Sequence, residues 1–214
     1  MENSYRILDL FPTPLLQTNL PSKFSSIQIW LDSQPLRKSE NSKNFGDISE
    51  STYILDSKEC LDLKKYILKY ALKFGSEYMG YNYKEYRFSQ SWISHKYPNQ
   101  SHLPHIHSNS TISGIIYYGE FFENTPSIIF HKNNNIPSNV NVIQHPKNTD
   151  TLNPYNSEGF SYIPSPGTLL LFPSYLQHSV PLNTTNKVRK SLAFNIVPKE
   201  GFGSEEDLTE LKFN

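Results

Sequence analysis

From about residue 85 onward, the chain is a succession of short stretches rich in β-branched and aromatic residues, separated by proline, asparagine and glycine. This pattern is typical of short strands joined by turns. We predict eight strands, at residues 86–96, 111–119, 127–131, 140–144, 160–163, 168–172, 178–182 and 189–197. Eight strands of this length can form a jelly roll of two sheets, so a mainly β fold is expected.

The first 84 residues are predicted to be helical or irregular. Residues 58–78 are the strongest helix prediction, since apolar side chains recur there at helical spacing. These side chains are Cys60, Leu63, Ile67, Phe74 and Tyr78. Asp56 and Glu59 suggest a capping box at the start of this helix, and Gly80 follows its end. With a shorter helix predicted at 25–32, we expect the helices to buttress one sheet from outside.

The length of 214 residues suits one well-buried domain. We expect a single domain over residues 1–214, with residues 1–84 as an N-terminal support, 85–198 as the jelly-roll core and 199–214 as a peripheral tail. Residues 132–158 are long for a loop inside a compact domain and are rich in asparagine and proline. We predict that they form a mobile flap over the mouth of the barrel.

Composition excludes several classes of protein. The formal net charge of zero gives no electrostatic reason to expect a nucleic-acid or anionic-membrane partner. Cys60 is the one cysteine, which excludes an internal disulfide and a cysteine-based zinc cluster. The N-terminal residues contain no signal-peptide core, and no apolar run approaches the length of a membrane span. A cytoplasmic protein without a membrane partner is therefore expected.

Two histidines two residues apart, His105 and His107, precede the predicted strand at 111–119. Side chains alternate between the two faces of an extended strand, so this pair shares one face. His178 opens a later predicted strand and can bring a third imidazole to the same place. Three neutral imidazoles suit Fe(II) among other divalent ions and leave further coordination positions open. We therefore predict a metal site formed by His105, His107 and His178.

The other four histidines need no functional explanation. A single histidine is more often a surface or hydrogen-bonded structural residue than a metal ligand. We assign this interpretation to His95, His131 and His145. His102 lies three residues before His105 and can support it as a hydrogen-bonding partner, but the structural interpretation is favoured for His102 as well.

One face of the predicted strand at 189–197 is polar or small and the other is apolar. The first face carries Arg189, Ser191, Ala193 and Asn195, and the second carries Leu192, Phe194 and Ile196. A strand that lines a polar pocket and packs its back against helices has this pattern. A guanidinium group matches a carboxylate and stays charged when buried, so Arg189 is predicted to bind a carboxylate with help from Ser191. An outward salt bridge of Arg189 is the alternative, and Tyr117 and Trp92 can line the pocket.

Three segments of the chain resemble a family of 2-oxoglutarate/Fe(II)-dependent oxygenases known from bacteria and their phages. They are residues 91–118, which contain the run Leu-Pro-His-Ile-His-Ser-Asn-Ser, residues 163–180 and residues 189–196. The opening Leu10-Phe11-Pro12-Thr13-Pro14 is also similar to the start of that family, so the likeness spans most of the chain. The resemblance implies a double-stranded β-helix core, which is a jelly roll, with iron at the mouth of the barrel.

The resemblance also implies roles for individual residues. His105 and His178 match the two histidine ligands of that family. Arg189 and Ser191 match an Arg-x-Ser that holds the far carboxylate of 2-oxoglutarate. The wider superfamily has Asp or Glu where this chain has His107. A neutral ligand therefore replaces an anion and leaves the metal more positive.

The expected function is that of a dioxygenase that depends on Fe(II) and takes 2-oxoglutarate as cosubstrate. It would hydroxylate a peptide side chain or a small metabolite, with release of succinate and CO₂, and its partners would be O₂ and that substrate. Tyr117 and Asn195 complete the predicted 2-oxoglutarate site, and no catalytic residue is predicted beyond the metal ligands. A homodimer is left open.

Two alternatives stay open at this point. A three-histidine cupin-like metalloenzyme that does not use 2-oxoglutarate would explain His107 but would leave Arg189 and Ser191 without a role. A non-catalytic jelly-roll binding protein would have lost its metal affinity.

Overall fold

A computed structural model describes residues 6–38, 45–120, 122–132, 153 and 155–213. Within these ranges the helices are α1 (Ile27–Asp32) and α2 (Leu61–Glu77), with short 3-10 turns at Ser22–Phe24, Ile54–Asp56 and Lys58–Cys60. The strands are β1 (Leu16–Asn19), β2 (Leu36–Lys38), β3 (Asp47–Ser49), β4 (Tyr86–Lys96), β5 (His102–His105), β6 (Ile112–Tyr118), β7 (Ile128–His131), β8 (Gly159–Tyr162), β9 (Thr168–Pro173), β10 (His178–Val180), β11 (Arg189–Pro198), β12 (Gly201–Phe202) and β13 (Leu211–Lys212). The predicted strand at 140–144 and His145 lie outside the described residues.

The strands form two antiparallel sheets that face each other. The large sheet has the order β1-β9-β6-β11-β4-β3-β2, and the small sheet has the order β5-β10-β7-β8. From β4 to β11 the chain passes repeatedly from one sheet to the other, because β4, β6, β9 and β11 lie in the large sheet and β5, β7, β8 and β10 in the small one. This winding is that of a jelly roll, so the predicted mainly β fold is confirmed.

Helix α2 packs on the outer face of the large sheet. Apolar side chains from the helix and from the three central strands are buried in one cluster, which includes Leu63, Ile67, Ala71 and Phe74 with Ile93, Ile116 and Leu192. Full burial of one large apolar side chain contributes roughly 1.5–3 kcal/mol. The predicted support of one sheet by helices is confirmed.

Both ends of α2 differ from the prediction. The helix begins without a side-chain cap, so the capping box of Asp56 and Glu59 is wrong, and Asp56 pairs with Lys64 instead. At the other end Tyr78 is 60% exposed, because the helix has already ended and the chain turns away at Gly80 with a φ of +68°. Among the described residues, no helix has both the length and the apolar character needed to cross a membrane.

The space between the sheets contains a second apolar cluster beside a polar cavity. The cluster consists of Ile115, Tyr117, Ile128, Phe130, Leu170, Phe172 and Leu176. Strand β11 contributes to both sides of the large sheet, since Leu192 and Ile196 join the cluster under the helices while Arg189 and Ser191 line the cavity. The two faces predicted for this strand are therefore confirmed.

Several short strands are not predicted by the sequence. β1 pairs with β9, and β2 and β3 extend the large sheet beyond β4. These three strands have only three or four residues, which is too few for a recognisable alternation. β5 contains Pro104, which a strand at the edge of a sheet tolerates. β12 and β13 pair in the tail. The division into support, core and tail stays a prediction.

The predicted flap at residues 132–158 lies largely outside the described residues. Its two described ends are joined, since the backbone N–H of Lys132 donates to the carbonyl of Glu158 at 2.8 Å. Its mobility stays a prediction.

Candidate metal centre

Three histidine rings converge at the open edge of the small sheet. His105 ends β5, His178 begins β10, and the two are direct partners in this antiparallel pair. His107 lies just beyond β5, where its backbone N–H donates to the carbonyl of Ser174 at 3.0 Å. One nitrogen of each ring lies within 4.8 Å of the other two. The predicted convergence is confirmed, although His107 reaches the site from a loop and not from the strand.

Hydrogen bonds fix which nitrogen of two of these rings is free. Nδ1 of His105 lies 2.8 Å from the carbonyl oxygen of Leu103, and Nδ1 of His178 lies 2.9 Å from that of Leu176. A carbonyl oxygen only accepts, so each Nδ1 carries the proton. Nε2 of both rings therefore keeps its lone pair and is available for a metal ion.

The third ring is held by a side chain and not by the backbone. Nδ1 of His107 lies 3.3 Å from Nδ2 of Asn195, whose Oδ1 accepts a hydrogen bond from Ser113 at 2.9 Å. The Ser113 hydroxyl in turn lies 2.9 Å from that of Ser174. Asn195, Ser113 and Ser174 are all buried. This chain of contacts, which we call the His107 network, occupies Nδ1 of His107, so Nε2 is the nitrogen available to a metal ion.

The three imidazoles are kept neutral by their surroundings. Burial, and then the neighbouring rings, lower the pKa of His107 to about 4 and that of His178 to about 3. Burial also lowers the pKa of His105. Since a metal ion binds only unprotonated imidazole, the site is ready for a cation near pH 7.

A cavity of about 60 Å³ lies beside the three rings, between the two sheets. Its wall includes the three histidines and two aromatic side chains, Trp92 and Phe172. It also includes the polar residues Ser94, Lys96, Arg189 and Ser191. Among the described residues that line it there is no aspartate or glutamate. The cavity is therefore a positively charged space next to the candidate metal ligands.

Arg189 is buried in the wall of this cavity, with 2% of its surface exposed. Its Nε donates to the carbonyl of Pro126 at 3.0 Å, and its Nη2 donates to the hydroxyl of Tyr117 at 3.2 Å. No carboxylate of the described residues pairs with it, so for this part of the chain the alternative of an outward salt bridge is wrong. Ser191 lines the cavity two residues further along the same strand face.

Two of the predicted cofactor-binding residues do not line the cavity but contact side chains that do. The buried Tyr117 contacts Arg189 through its hydroxyl, and Asn195 contacts His107. Neither side chain is part of the cavity wall. Trp92 does line the cavity, and its ring centroid lies 5.9 Å from that of His107.

Lys96 is a residue of this site that the sequence interpretation did not include. It is 2% exposed and lines the cavity at the end of β4. Its ammonium group donates to the carbonyl of Phe45 and, at 3.2 Å, to the hydroxyl of Ser94. Burial, and then the charge of Arg189, lower the pKa of Lys96 to about 8, so it is a cation at pH 7. Trp92, Ser94 and Lys96 alternate along β4, which is the signal that could have revealed it.

The remaining described histidines divide into two kinds. His95 is buried with its Nε2 3.1 Å from the Tyr118 hydroxyl, and Nε2 of His131 lies 2.8 Å from the Ser179 hydroxyl, so both are hydrogen-bonded structural residues as predicted. His102 differs, because its ring stacks on His105 with centroids 4.0 Å apart and lines the cavity. His102 is not one of the three converging rings, so its interpretation as a residue other than a ligand stays a prediction.

The donor set fits a transition metal. Three imidazole nitrogens suit Fe(II) and related ions, whereas Mg²⁺ and Ca²⁺ prefer oxygen ligands. Within the described ranges this is the one group of three or more histidine, cysteine or acidic residues arranged to hold a metal ion. No carboxylate from those ranges joins the cluster in place of His107.

Comparison with known proteins adds a family and a fold. Residues 90–195, which include the three rings, Lys96 and Arg189, match the model of the family described as "Putative 2OG-Fe(II) oxygenase". A comparison with curated proteins gives no match.

Three solved structures illustrate the similarity of fold. A prolyl-4-hydroxylase from Pseudomonas putida has a TM-score of 0.59 and 11% identity, over 86% of this chain and 92% of that chain. The epimerase SnoN, solved with Fe³⁺, alpha ketoglutarate and nogalamycin RO, has a TM-score of 0.62 and 10% identity, over 90% and 82%. HygX from Streptomyces hygroscopicus, solved with nickel, 2-oxoglutarate and hygromycin B, has a TM-score of 0.58 and 12% identity, over 87% and 83%.

Proposed function

Residues 90–195 of this chain belong to the 2OG-Fe(II) oxygenase family, and from this premise we propose that the protein hydroxylates a peptide side chain or a small metabolite. As a member of that family it is an oxidoreductase that uses Fe(II), 2-oxoglutarate and O₂. The release of succinate and CO₂ accompanies the reaction of such an enzyme.

His105, His107 and His178 would hold the iron. Their closeness supports this role, as do the hydrogen bonds that leave Nε2 of His105 and of His178 unprotonated. Bound Fe(II) would supply the redox chemistry that couples decarboxylation of 2-oxoglutarate to hydroxylation of a C–H bond. The contribution of the three rings is to fix the position of the ion and to keep part of its coordination sphere open.

Arg189 and Ser191 would bind the far carboxylate of 2-oxoglutarate. A guanidinium group in a water-poor cavity forms a strong charge-assisted contact with a carboxylate. Tyr117 would act through Arg189, because its hydroxyl accepts a hydrogen bond from the guanidinium group. Asn195 would act through His107 and not on the cosubstrate. Trp92 and Phe172 would limit the access of water to the cavity.

The observation that carries this proposal is the position of Arg189 in the same cavity as the three rings. A buried cation without a described carboxylate partner needs an anion, and 2-oxoglutarate offers one at the right end of the molecule. A cupin-like enzyme without 2-oxoglutarate leaves this cation unexplained, and so does a non-catalytic binding protein. A homodimer and a cytoplasmic location stay predictions.

The proposal is tested by adding Fe(II) and 2-oxoglutarate to the protein without oxygen. A 2-oxo acid chelated to Fe(II) gives a visible charge-transfer band, which we expect for the wild-type protein. His178→Ala should lose the band, and Zn(II) in place of Fe(II) should give none, because zinc has no redox chemistry. A wild-type protein that binds iron but shows no band with 2-oxoglutarate would contradict the proposal.

A further inference from the structure

Lys96 and Arg189 face each other across two paired strands of the large sheet. They are direct partners in the antiparallel register of β4 and β11. Side chains of directly opposed residues lie on the same face of a sheet. Both line the one cavity, together with Ser94 and Ser191, which form the next pair on this face.

This pair of cations has no described counter-charge on its own face. The ammonium group of Lys96 contacts a carbonyl and a hydroxyl, and the guanidinium group of Arg189 likewise contacts a carbonyl and a hydroxyl. The nearby Asp47 pairs with His95 in the register of β3 and β4. It therefore lies on the opposite face of the sheet from Lys96.

Two like charges directly opposed in a sheet destabilise it, and their burial adds to the cost. Such a pair therefore stabilises the protein only when an anion is bound next to it. A single carboxylate has two oxygens and can accept from two cations at once. The arrangement is therefore that of a prepared anion site.

We propose that Lys96 and Arg189 together hold the far carboxylate of 2-oxoglutarate, with one cation supplied by each of two paired strands. This inference rests on the proposed function, because the near end of the cosubstrate is assigned to the metal. Lys96 is thus a cosubstrate-binding residue that selects dicarboxylic over monocarboxylic 2-oxo acids.

The test compares 2-oxoglutarate with 2-oxopentanoate, in which a methyl group replaces the far carboxylate. Each is titrated into the Fe(II)-loaded protein without oxygen, and the visible band gives the dissociation constant. Lys96→Met should weaken the binding of 2-oxoglutarate about tenfold or more, because a charge-assisted contact is lost. The dissociation constant of 2-oxopentanoate should not change. Lys96→Arg should restore most of the affinity for 2-oxoglutarate.

Thermal unfolding of the metal-free protein supplies a second readout. Lys96→Met should unfold at the same temperature as the wild type or higher, since it relieves the opposition of two buried cations, whereas loss of a purely structural lysine would lower that temperature. Lys190→Met is the matched control: Lys190 neighbours Arg189 on β11, lies on the other face and pairs with Asp32. It should leave both dissociation constants unchanged.

Three results would overturn the inference. The first is an affinity of Lys96→Met for 2-oxoglutarate within about twofold of the wild type, and the second is an equal loss of affinity for both 2-oxo acids. Either one leaves the proposed function intact. The third is a wild-type protein that binds neither 2-oxo acid, which overturns the proposed function as well.

Discussion

The side-chain amide of Asn195 lies 3.3 Å from Nδ1 of His107 and is the hydrogen-bonding partner of this ring. If Nε2 of His107 binds a metal, its Nδ1 must carry the proton, so the group that faces Nδ1 has to accept. Rotation of the amide by 180° exchanges its oxygen and nitrogen at nearly the same positions. The hydroxyl of Ser113 can then accept from the amide, so the His107 network serves either orientation.

Replacement of Asn195 therefore tests the support of the third ligand. Asn195→Leu should weaken Fe(II) binding roughly 10- to 100-fold, the range found when such supporting partners are removed. Asn195→Asp keeps an acceptor and should bind Fe(II) about as well as the wild type. The affinities are measured by competition with a chelator of known strength. Ser191→Ala, on the same strand face, should leave them unchanged, and an Asn195→Asp protein as weak as Asn195→Leu would contradict the acceptor role.

Removal of the Arg189 side chain should separate cosubstrate binding from metal binding. Arg189→Ala should abolish 2-oxoglutarate turnover, because truncation of one partner of a buried charged pair costs roughly 2–5 kcal/mol. Fe(II) binding should stay close to that of the wild type. Succinate release and chelator competition measure the two properties. Lys187→Ala, an exposed neighbour on the preceding loop, is the control. Normal turnover by Arg189→Ala would show that its charge has a structural role only.

The buried His95 should make the metal-free protein sensitive to acid. Burial lowers its pKa from 6.5 to about 4, so below pH 6.5 the unfolded chain binds a proton that the folded chain does not. Stability therefore falls as the pH falls through this window, by at most about 3 kcal/mol from this residue. Other charged groups near it are Lys190, Asp32 and Asp47.

Urea unfolding at a series of pH values measures this effect. His95→Gln can still bond the Tyr118 hydroxyl but cannot titrate, so its stability should fall less steeply between pH 6.5 and pH 4. The metal-free protein is needed because metal binding couples to protonation of the ligand histidines. Identical slopes for the two proteins would mean that folding does not lower the pKa of His95.

Gly114 should tolerate no larger side chain, because β6 lies tightly against its neighbours there. A methyl group at this position would lie 2.7 Å from Cδ2 of Leu171 and closer still to the ring of Phe194. Gly114→Ala should destabilise the fold by about 1–3 kcal/mol, the usual cost of overfilling a core. Gly80→Ala is the contrasting variant, because no atom lies within 4 Å of the added methyl group and only its positive φ opposes the change. Equal stability of Gly114→Ala and the wild type in denaturant unfolding would contradict this packing.

The long strands could be predicted from the sequence, and the short ones could not. β4 and β11 have 11 and 10 residues rich in β-branched and aromatic side chains, and β11 alternates between two environments, so their bounds follow closely from the pattern. β1, β2 and β3 are stabilised by strands far away in the sequence, and their own residues show little preference for a strand. Tertiary contacts determine whether such segments form strands.

The same limit applies to the site. His105 could be selected because it forms a pair with His107 two residues on, and His178 because it opens a predicted strand. Arg189 could be selected because it begins a strand with one polar and one apolar face. Lys96 also follows Trp92 and Ser94 at a spacing of two residues. Its role could not be predicted, however, because that role depends on the register that places Lys96 opposite Arg189. The partner of His107 depends likewise on the approach of β11, which brings Asn195 to a loop that precedes β6.

Because His105 and His178 are partners across β5 and β10, retention of a metal ion would depend on the correct pairing of these two strands. Side chains alternate along a strand, so a shift of the register by one residue would turn Ser179 toward the interior in place of His178. A chain with a mispaired small sheet would then lack a ligand and release its ion. Once bound, the ion would link two strands that are distant in the sequence, and its binding free energy would add to the stability of the native pairing alone. Metal binding would therefore increase the population of the correctly paired barrel relative to compact states in which the small sheet is mispaired.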